Sequence, residues 1–198
     1  MAKIKICGLM RTADVEAVNQ YLPDYCGFVL SRPFKRYISK DAARHLRDML
    51  DKRIKPVGVF VDTLPDEAAG FAEDGIIEEI QLHGHEDDRY IANLKKLTDV
   101  PITKAFTIRN ENDLKRAAES TADYVLLDNG TGTGEKFDWE LIRDIGREFG
   151  IAGGLNADNV AGVIKKYKPF LVDVSSGVET DGVKDAEKIR RFIESARP

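Results

Sequence analysis

Cysteine and histidine are scarce in this chain, with two of the first and three of the second. Cys7 and Cys26 form no CxxC, and no Cys/His cluster has metal-ligand spacing. That argues against a disulfide framework or a structural zinc site and fits a reducing, cytoplasmic setting. Nor is there an excess of basic charge. A net charge of −4 and a pI of about 5.5 disfavour a general polyanion binder. No apolar run approaches membrane-spanning length, and the N-terminus runs into a strand pattern with no apolar signal core, so neither membrane nor secretion is expected. Linker-like, low-complexity and clearly repeated stretches are missing too. The 198 residues, 42% hydrophobic and 32% charged, read as one ordinary globular domain.

What is present is alternation of two kinds of segment. Short runs rich in Val, Ile and Phe predict strands at 3–7, 25–30, 56–61, 79–83, 102–106, 124–128, 151–153 and 170–174. Charged, amphipathic stretches between them predict helices near 14–21, 40–50, 65–72, 87–96, 111–119, 139–149, 158–167 and 185–196. Strands each followed by a helix imply parallel βαβ units. Eight units of about 25 residues fit an α/β fold, a single-domain (β/α)8 TIM barrel at the lean end of its size range. A six-stranded doubly wound sheet is the rival, and it leaves two units unused.

In such a barrel the chemistry gathers just after the strands. Cys7 ends the first strand. Its thiol, with an ordinary pKa of about 8.5, becomes a base or nucleophile near cations or helix N-termini, and is otherwise a small buried hydrophobe. Asp128 ends the hydrophobic run Tyr124-Val125-Leu126-Leu127. Partial burial there raises a carboxyl toward a useful general acid; the alternative is a turn-capping Asp. Gly153-Gly154 and Ser175-Ser176-Gly177 follow strands seven and eight. One such loop reads as a tight turn, but two, after the strands where barrels most often hold phosphate, favour a phosphate site with a helix start nearby. Gly130-Thr131-Gly132-Thr133-Gly134 suits a lid and lacks the ending of a P-loop.

Arg36 follows strand two with a fork able to grip a carboxylate, or is a solvated surface residue. His83 is either a substrate contact or a packed histidine beneath the site. Asp173 either orients a ligand hydroxyl or braces the last loop. His45 and His85 read as surface, and Cys26 as core.

Eight motifs occur in a telling order: Lys5-Ile6-Cys7-Gly8-Leu9, Gly27-Phe28-Val29, Gly58-Val59-Phe60-Val61, Gln81-Leu82-His83-Gly84, Leu127-Asp128, Phe137-Asp138-Trp139, Ala152-Gly153-Gly154-Leu155 and Asp173-Val174-Ser175-Ser176-Gly177-Val178-Glu179. Gly182-Val183-Lys184-Asp185 continues the series. In this the chain resembles the phosphoribosylanthranilate isomerases from end to end. It departs from them at Met10, where Thr or Ser is usual, and at Phe34-Lys35-Arg36-Tyr37, where Ser-Pro-Arg-Tyr is common.

The resemblance implies a (β/α)8 barrel that carries out an Amadori rearrangement in tryptophan biosynthesis. It carries a base onto Cys7, an acid onto Asp128, a carboxylate contact onto Arg36 and phosphate contacts onto the glycine and serine loops. It implies no cofactor and no metal, a small phosphorylated substrate as partner, neither nucleic acid nor membrane, and a monomer or homodimer in the cytoplasm. Rival readings fit less well. A histidine-pathway sugar isomerase resembles a two-aspartate machine, and here the first strand ends in Cys. A pentose-phosphate epimerase wants a His/Asp metal site. A silent phosphate-binding barrel predicts lost acid and base, yet Cys7 and Asp128 are both present.

Overall fold

The computed structural model describes residues 1–128, 142 and 145–197. Eight parallel strands follow one another round a closed barrel: β1 (Lys3–Cys7), β2 (Tyr25–Val29), β3 (Lys55–Phe60), β4 (Glu79–Leu82), β5 (Ile102–Thr107), β6 (Tyr124–Asp128), β7 (Phe149–Ile151) and β8 (Leu171–Val174). The ring shuts where β1 pairs with β8, from Lys3 opposite Leu171 to Ile6 opposite Val174. That closure rules out the doubly wound sheet. Among the described residues the helices are α1 (Thr12–Tyr21), α2 (Lys40–Met49), α3 (Pro65–Glu73), α4 (Asp88–Leu94), α5 (Glu111–Glu119), α6 (Val160–Tyr167) and α7 (Ala186–Ala196).

Local chemistry sets their starts. Pro65 takes the first turn of α3, where its missing N–H costs nothing. The side chains of Asn110 and Asp185 accept the first free amides of α5 and α7.

Side-chain parity along the strands decides which residues meet the helices and which meet one another inside the barrel. Ile4 and Ile6, Cys26 and Phe28, Ile80 and Leu82, Val125 and Leu127, and Val172 and Val174 join the main core with the helices. Each such large side chain is worth about 1.5–3 kcal/mol over an exposed position. The alternate residues Ala105, Leu126, Ala152 and Leu171 form a second, small cluster inside the ring. Lys5, Gln81, Thr103 and Asp173 share that inward parity and are buried. The barrel interior is therefore partly ionic, where many barrels are filled by branched aliphatics.

Three features differ from the sequence expectations. Residues 139–141, 143 and 144 of the helix expected at 139–149 lie outside the described residues, as do the Gly130-Thr131-Gly132-Thr133-Gly134 loop and Phe137-Asp138-Trp139. Residues 145–148, which are described, are not helical, and Phe149 already opens β7. That strand stops at Ile151, not at Gly153, because Gly153 and Gly154 take φ of +83° and +69°, outside extended backbone. Finally, a small antiparallel hairpin, β9 (Glu179–Thr180) and β10 (Val183–Lys184), follows the barrel. Its Asp181-Gly182 turn has φ of +52° and +79°, the two positive values of a type I′ turn. That dipeptide was the sequence signal for it.

Candidate active site

A cavity of about 390 Å³ opens at the carboxyl ends of the strands. All ten residues singled out from sequence line it. They are Cys7 on β1, Arg36 after β2, His83 after β4, Asp128 on β6, Gly153 and Gly154 after β7, Asp173 on β8, and Ser175, Ser176 and Gly177 beyond it. Val29, Val59 and Phe34 add an apolar wall. His45 and His85 are exposed and Cys26 is buried among the helices, as expected. The structure brings the set together from six different strand ends, which no local pattern could do.

Cys7 is seated by its neighbours. Gly27, opposite it on β2, must lack a side chain, because a Cβ there would lie 2.6 Å from Cys7 Sγ. Ser175 Oγ donates to the Cys7 carbonyl at 3.0 Å and ties the β8 loop to the end of β1. Burial pushes the thiol up from its ordinary range, and Asp173 adds to this, while Lys5 and Lys184 pull the other way. The cations sought from sequence are there, but desolvation outweighs them.

From Lys5 a chain of polar contacts crosses the barrel. Its ammonium donates to Asp173 Oδ2 and to Gln81 Oε1, both at 2.8 Å. Burial alone would strip that proton, but Asp173 and Cys7 hold it above the usual lysine range. An ammonium only donates, so Gln81 must turn its oxygen to Lys5 and its NH2 to His83 Nδ1, 3.1 Å away. His83 Nδ1 is then an acceptor, and the neutral ring carries its proton on Nε2, 3.1 Å from Asp128 Oδ2. His83 thus faces the carboxylate on the cavity wall, with its side chain part-exposed to the cavity. Asp173 braces Lys5 with one oxygen, and its Oδ1 is buried with no hydrogen-bond partner among the described residues.

Arg36 is not a solvated fork. Its Nε and Nη2 donate to the two oxygens of Glu179 at 2.7 and 2.8 Å. Glu179 also accepts from Lys184 Nζ at 2.6 Å, its cross-strand partner in the hairpin. Burial opposes ionisation of Glu179, but these two cations hold its carboxyl at about 2. One edge of the Arg36 guanidinium is thereby fixed, and among the described residues Nη1 on the other edge meets no acceptor. Gly8, at φ +84°, makes room for the arginine stem, since a Cβ there would collide with Arg36 Cδ.

The loops after β7 and β8 lie against each other. A Cβ on Gly177 would clash with the carbonyl of Leu155, so only glycine permits the contact. Asn159 donates to the Gly154 carbonyl at 2.8 Å and holds that peptide's orientation. Among the described residues no acceptor takes the amides of Gly153, Gly154, Ser176 or Gly177. Several amides left undonated around one small hollow are what an anion needs. The expected helix start is modest here: a single 3₁₀ turn, Ser176–Val178, follows Ser175, while α6 starts six residues past Gly154.

Lys5, Gln81, Glu179 and Lys184 escaped the sequence reading. Parity could have found the first two, since they stand two residues before Cys7 and His83 on the same faces. The Asp181-Gly182 turn could have paired the other two.

This arrangement matches known proteins throughout. The family model described as N-(5'phosphoribosyl)anthranilate (PRA) isomerase matches residues 4–195. An N-(5'-phosphoribosyl)anthranilate isomerase of Endomicrobium trichonymphae is 44% identical over 202 residues, covering 100% of this chain and 99% of that protein. The crystal structure of phosphoribosyl anthranilate isomerase from Thermotoga maritima superposes with a TM-score of 0.89 at 36% identity, covering 100% of this chain and 99% of the other. A phosphoribosyl anthranilate isomerase solved in complex with reduced 1-(o-carboxyphenylamino)-1-deoxyribulose 5-phosphate gives 0.87, again at 36% identity and with 100% and 99% covered. The chain belongs to the N-(5'-phosphoribosyl)anthranilate isomerase family.

Proposed function

We propose that this protein isomerises N-(5'-phosphoribosyl)anthranilate to 1-(2-carboxyphenylamino)-1-deoxyribulose 5-phosphate in tryptophan biosynthesis, by general acid–base catalysis. The observation that carries the reading is the convergence of Cys7, Asp128, Arg36 and the two amide-bearing loops on one cavity. Its volume suits one sugar phosphate bearing an aromatic ring.

In the first step Asp128 protonates the furanose ring oxygen as the anilino nitrogen pushes its lone pair toward C1′. The C1′–O bond breaks and an iminium forms. Cys7, as thiolate, then removes the C2′ proton, and the electrons left on carbon neutralise the iminium to an enolamine. Tautomerisation of that enol gives the ketone, with no net oxidation. The positive iminium also favours thiolate beside it, offsetting the burial that holds the thiol protonated in the free protein. Each acid–base step contributes typically about 10²–10⁴-fold.

Anchoring supplies orientation. The amides of Gly153, Gly154, Ser176 and Gly177, with the hydroxyl of Ser176, suit the phosphate, while Ser175 commits its one hydroxyl proton to the Cys7 carbonyl. The open edge of Arg36 suits the anthranilate carboxylate, and Val29, Val59 and Phe34 suit its ring. Asp173 Oδ1, an unpartnered buried acceptor, suits a ribose hydroxyl, and His83 supports Asp128. The reading carries no cofactor and no nucleic-acid or membrane partner, and takes the protein as a cytoplasmic monomer or homodimer. The decisive assay follows the fluorescence of phosphoribosylanthranilate with purified protein. Rapid, enzyme-dependent decay supports the assignment, and an unchanged signal refutes it.

A further inference from the structure

We propose that Lys5 is a positioning residue for Cys7: its ammonium, anchored by Asp173 and Gln81 inside the barrel, stabilises the thiolate that acts as base. The inference rests on the reading of Cys7 as the base and goes beyond it, since Lys5 never reaches the substrate.

Geometry carries the argument. Lys5 and Cys7 are two residues apart on β1, so both side chains turn into the barrel, Lys5 below and Cys7 above. Lys5 is buried, and an ammonium has three N–H groups to place. Two are taken at 2.8 Å by Asp173 Oδ2 and Gln81 Oε1, which pin the nitrogen from β8 and β4. The same ammonium is close enough for its charge to act on the Cys7 thiol, one strand repeat above it. Were Lys5 present only to neutralise Asp173, any geometry of that pair would serve. Instead the cation is held at the foot of the thiol by two partners from opposite sides of the ring.

Other charges face Cys7 as well. Asp173 on β8 opposes the thiolate, while Lys184 on β10 favours it; Arg36, beyond β2, also lies within reach of its charge. Lys184 and Arg36 are both committed to Glu179. Lys5 exerts the largest favourable effect on the thiol.

The test is the rate of alkylation of Cys7 by iodoacetamide over a pH series. Cys26 is fully buried, and the Cys7→Ser variant supplies the blank. In Lys5→Met the rise of alkylation with pH should move up by about one unit or more, a tenfold slower reaction at neutral pH. The rising limb of kcat/KM should move with it, with activity recovering toward wild type at high pH. Lys5→Gln keeps donors for Asp173 without the charge, so it gives the same readout if Lys5→Met fails to fold. Lys5→Arg should restore the wild-type profile. A folded neutral variant with the wild-type alkylation profile, or with a loss equal at every pH, would overturn the proposal. Alkylation needs no substrate, so failure of the wild type to consume phosphoribosylanthranilate would sink the proposed function without deciding this point.

Discussion

Arg36 meets Glu179 edge to edge, with Nε 2.7 Å from one carboxylate oxygen and Nη2 2.8 Å from the other. The pair spans 143 positions of sequence and locks an otherwise flexible arginine at the mouth of the barrel. A fork held along one edge presents the other in a fixed plane, so less side-chain entropy is lost when a carboxylate docks.

Arg36→Met should therefore raise KM for phosphoribosylanthranilate. Hydrogen bonds to charged groups are worth about 1.5–3 kcal/mol, which is on the order of ten- to a hundredfold in kcat/KM. Glu179 keeps Lys184 as partner in that variant, so the fold should persist. An analogue without the carboxylate should lose nothing, and comparing both substrates on both proteins isolates the pair. An equal penalty for the two substrates would make Arg36 a structural brace only.

The Glu179 carboxyl, held at about 2 against an ordinary 4.5, makes stability depend on acid. A depressed carboxylate stabilises the fold above the ordinary value, and the gain fades as pH falls from about 4.5 through about 2. The Tm of Glu179→Gln should lie below wild type at neutral pH, and the two should converge toward the bottom of that window. A gap that stays constant with pH would assign the loss to packing and not to charge.

Cys7→Ser and Asp128→Asn should each lower kcat by about 10²–10⁴-fold while binding of the reduced product analogue is kept. A serine hydroxyl does not ionise near neutral pH as a thiol can, and an amide N–H is far too weak an acid to protonate the ring oxygen. Turnover within a few-fold of wild type would return Cys7 to the role of core hydrophobe. A purely binding defect would leave Asp128 as a turn residue.

Gly177→Ala should weaken phosphate. Its Cβ strikes the Leu155 carbonyl, so the loops after β7 and β8 must part and their amides lose convergence. Inorganic phosphate should inhibit wild type competitively and the variant less well, with KM raised and Tm little changed. Equal inhibition constants, or a soaked anion bound elsewhere in a crystal, would dismiss this site.

Much of this was legible before any coordinates. Runs of β-branched residues, each followed by an amphipathic stretch, marked the strands of the barrel, two of them, β1 and β6, to the residue. Because a parallel barrel opens a cavity at the carboxyl ends of its strands, finding the strand ends was nearly the same as finding the residues that line it. Where reading failed locally, at β7, two glycines with positive φ ended the strand before the apolar pattern did. The Asp181-Gly182 turn signal of the hairpin is equally present in the sequence.

The amino-acid order by itself thus determined the barrel and, to within about two residues, where its strands end, because periodicity and turn chemistry are local. Charge states and pairings were decided only by closure. Lys5 reaches Asp173 across 168 positions once β1 pairs with β8, and only then is there a buried cation beneath the Cys7 thiol. Whether burial or a cation governs that thiol, and whether Arg36 is solvated or clamped, depends on distances and desolvation between segments far apart in the chain. These are properties of packing, and they exist only in the folded barrel.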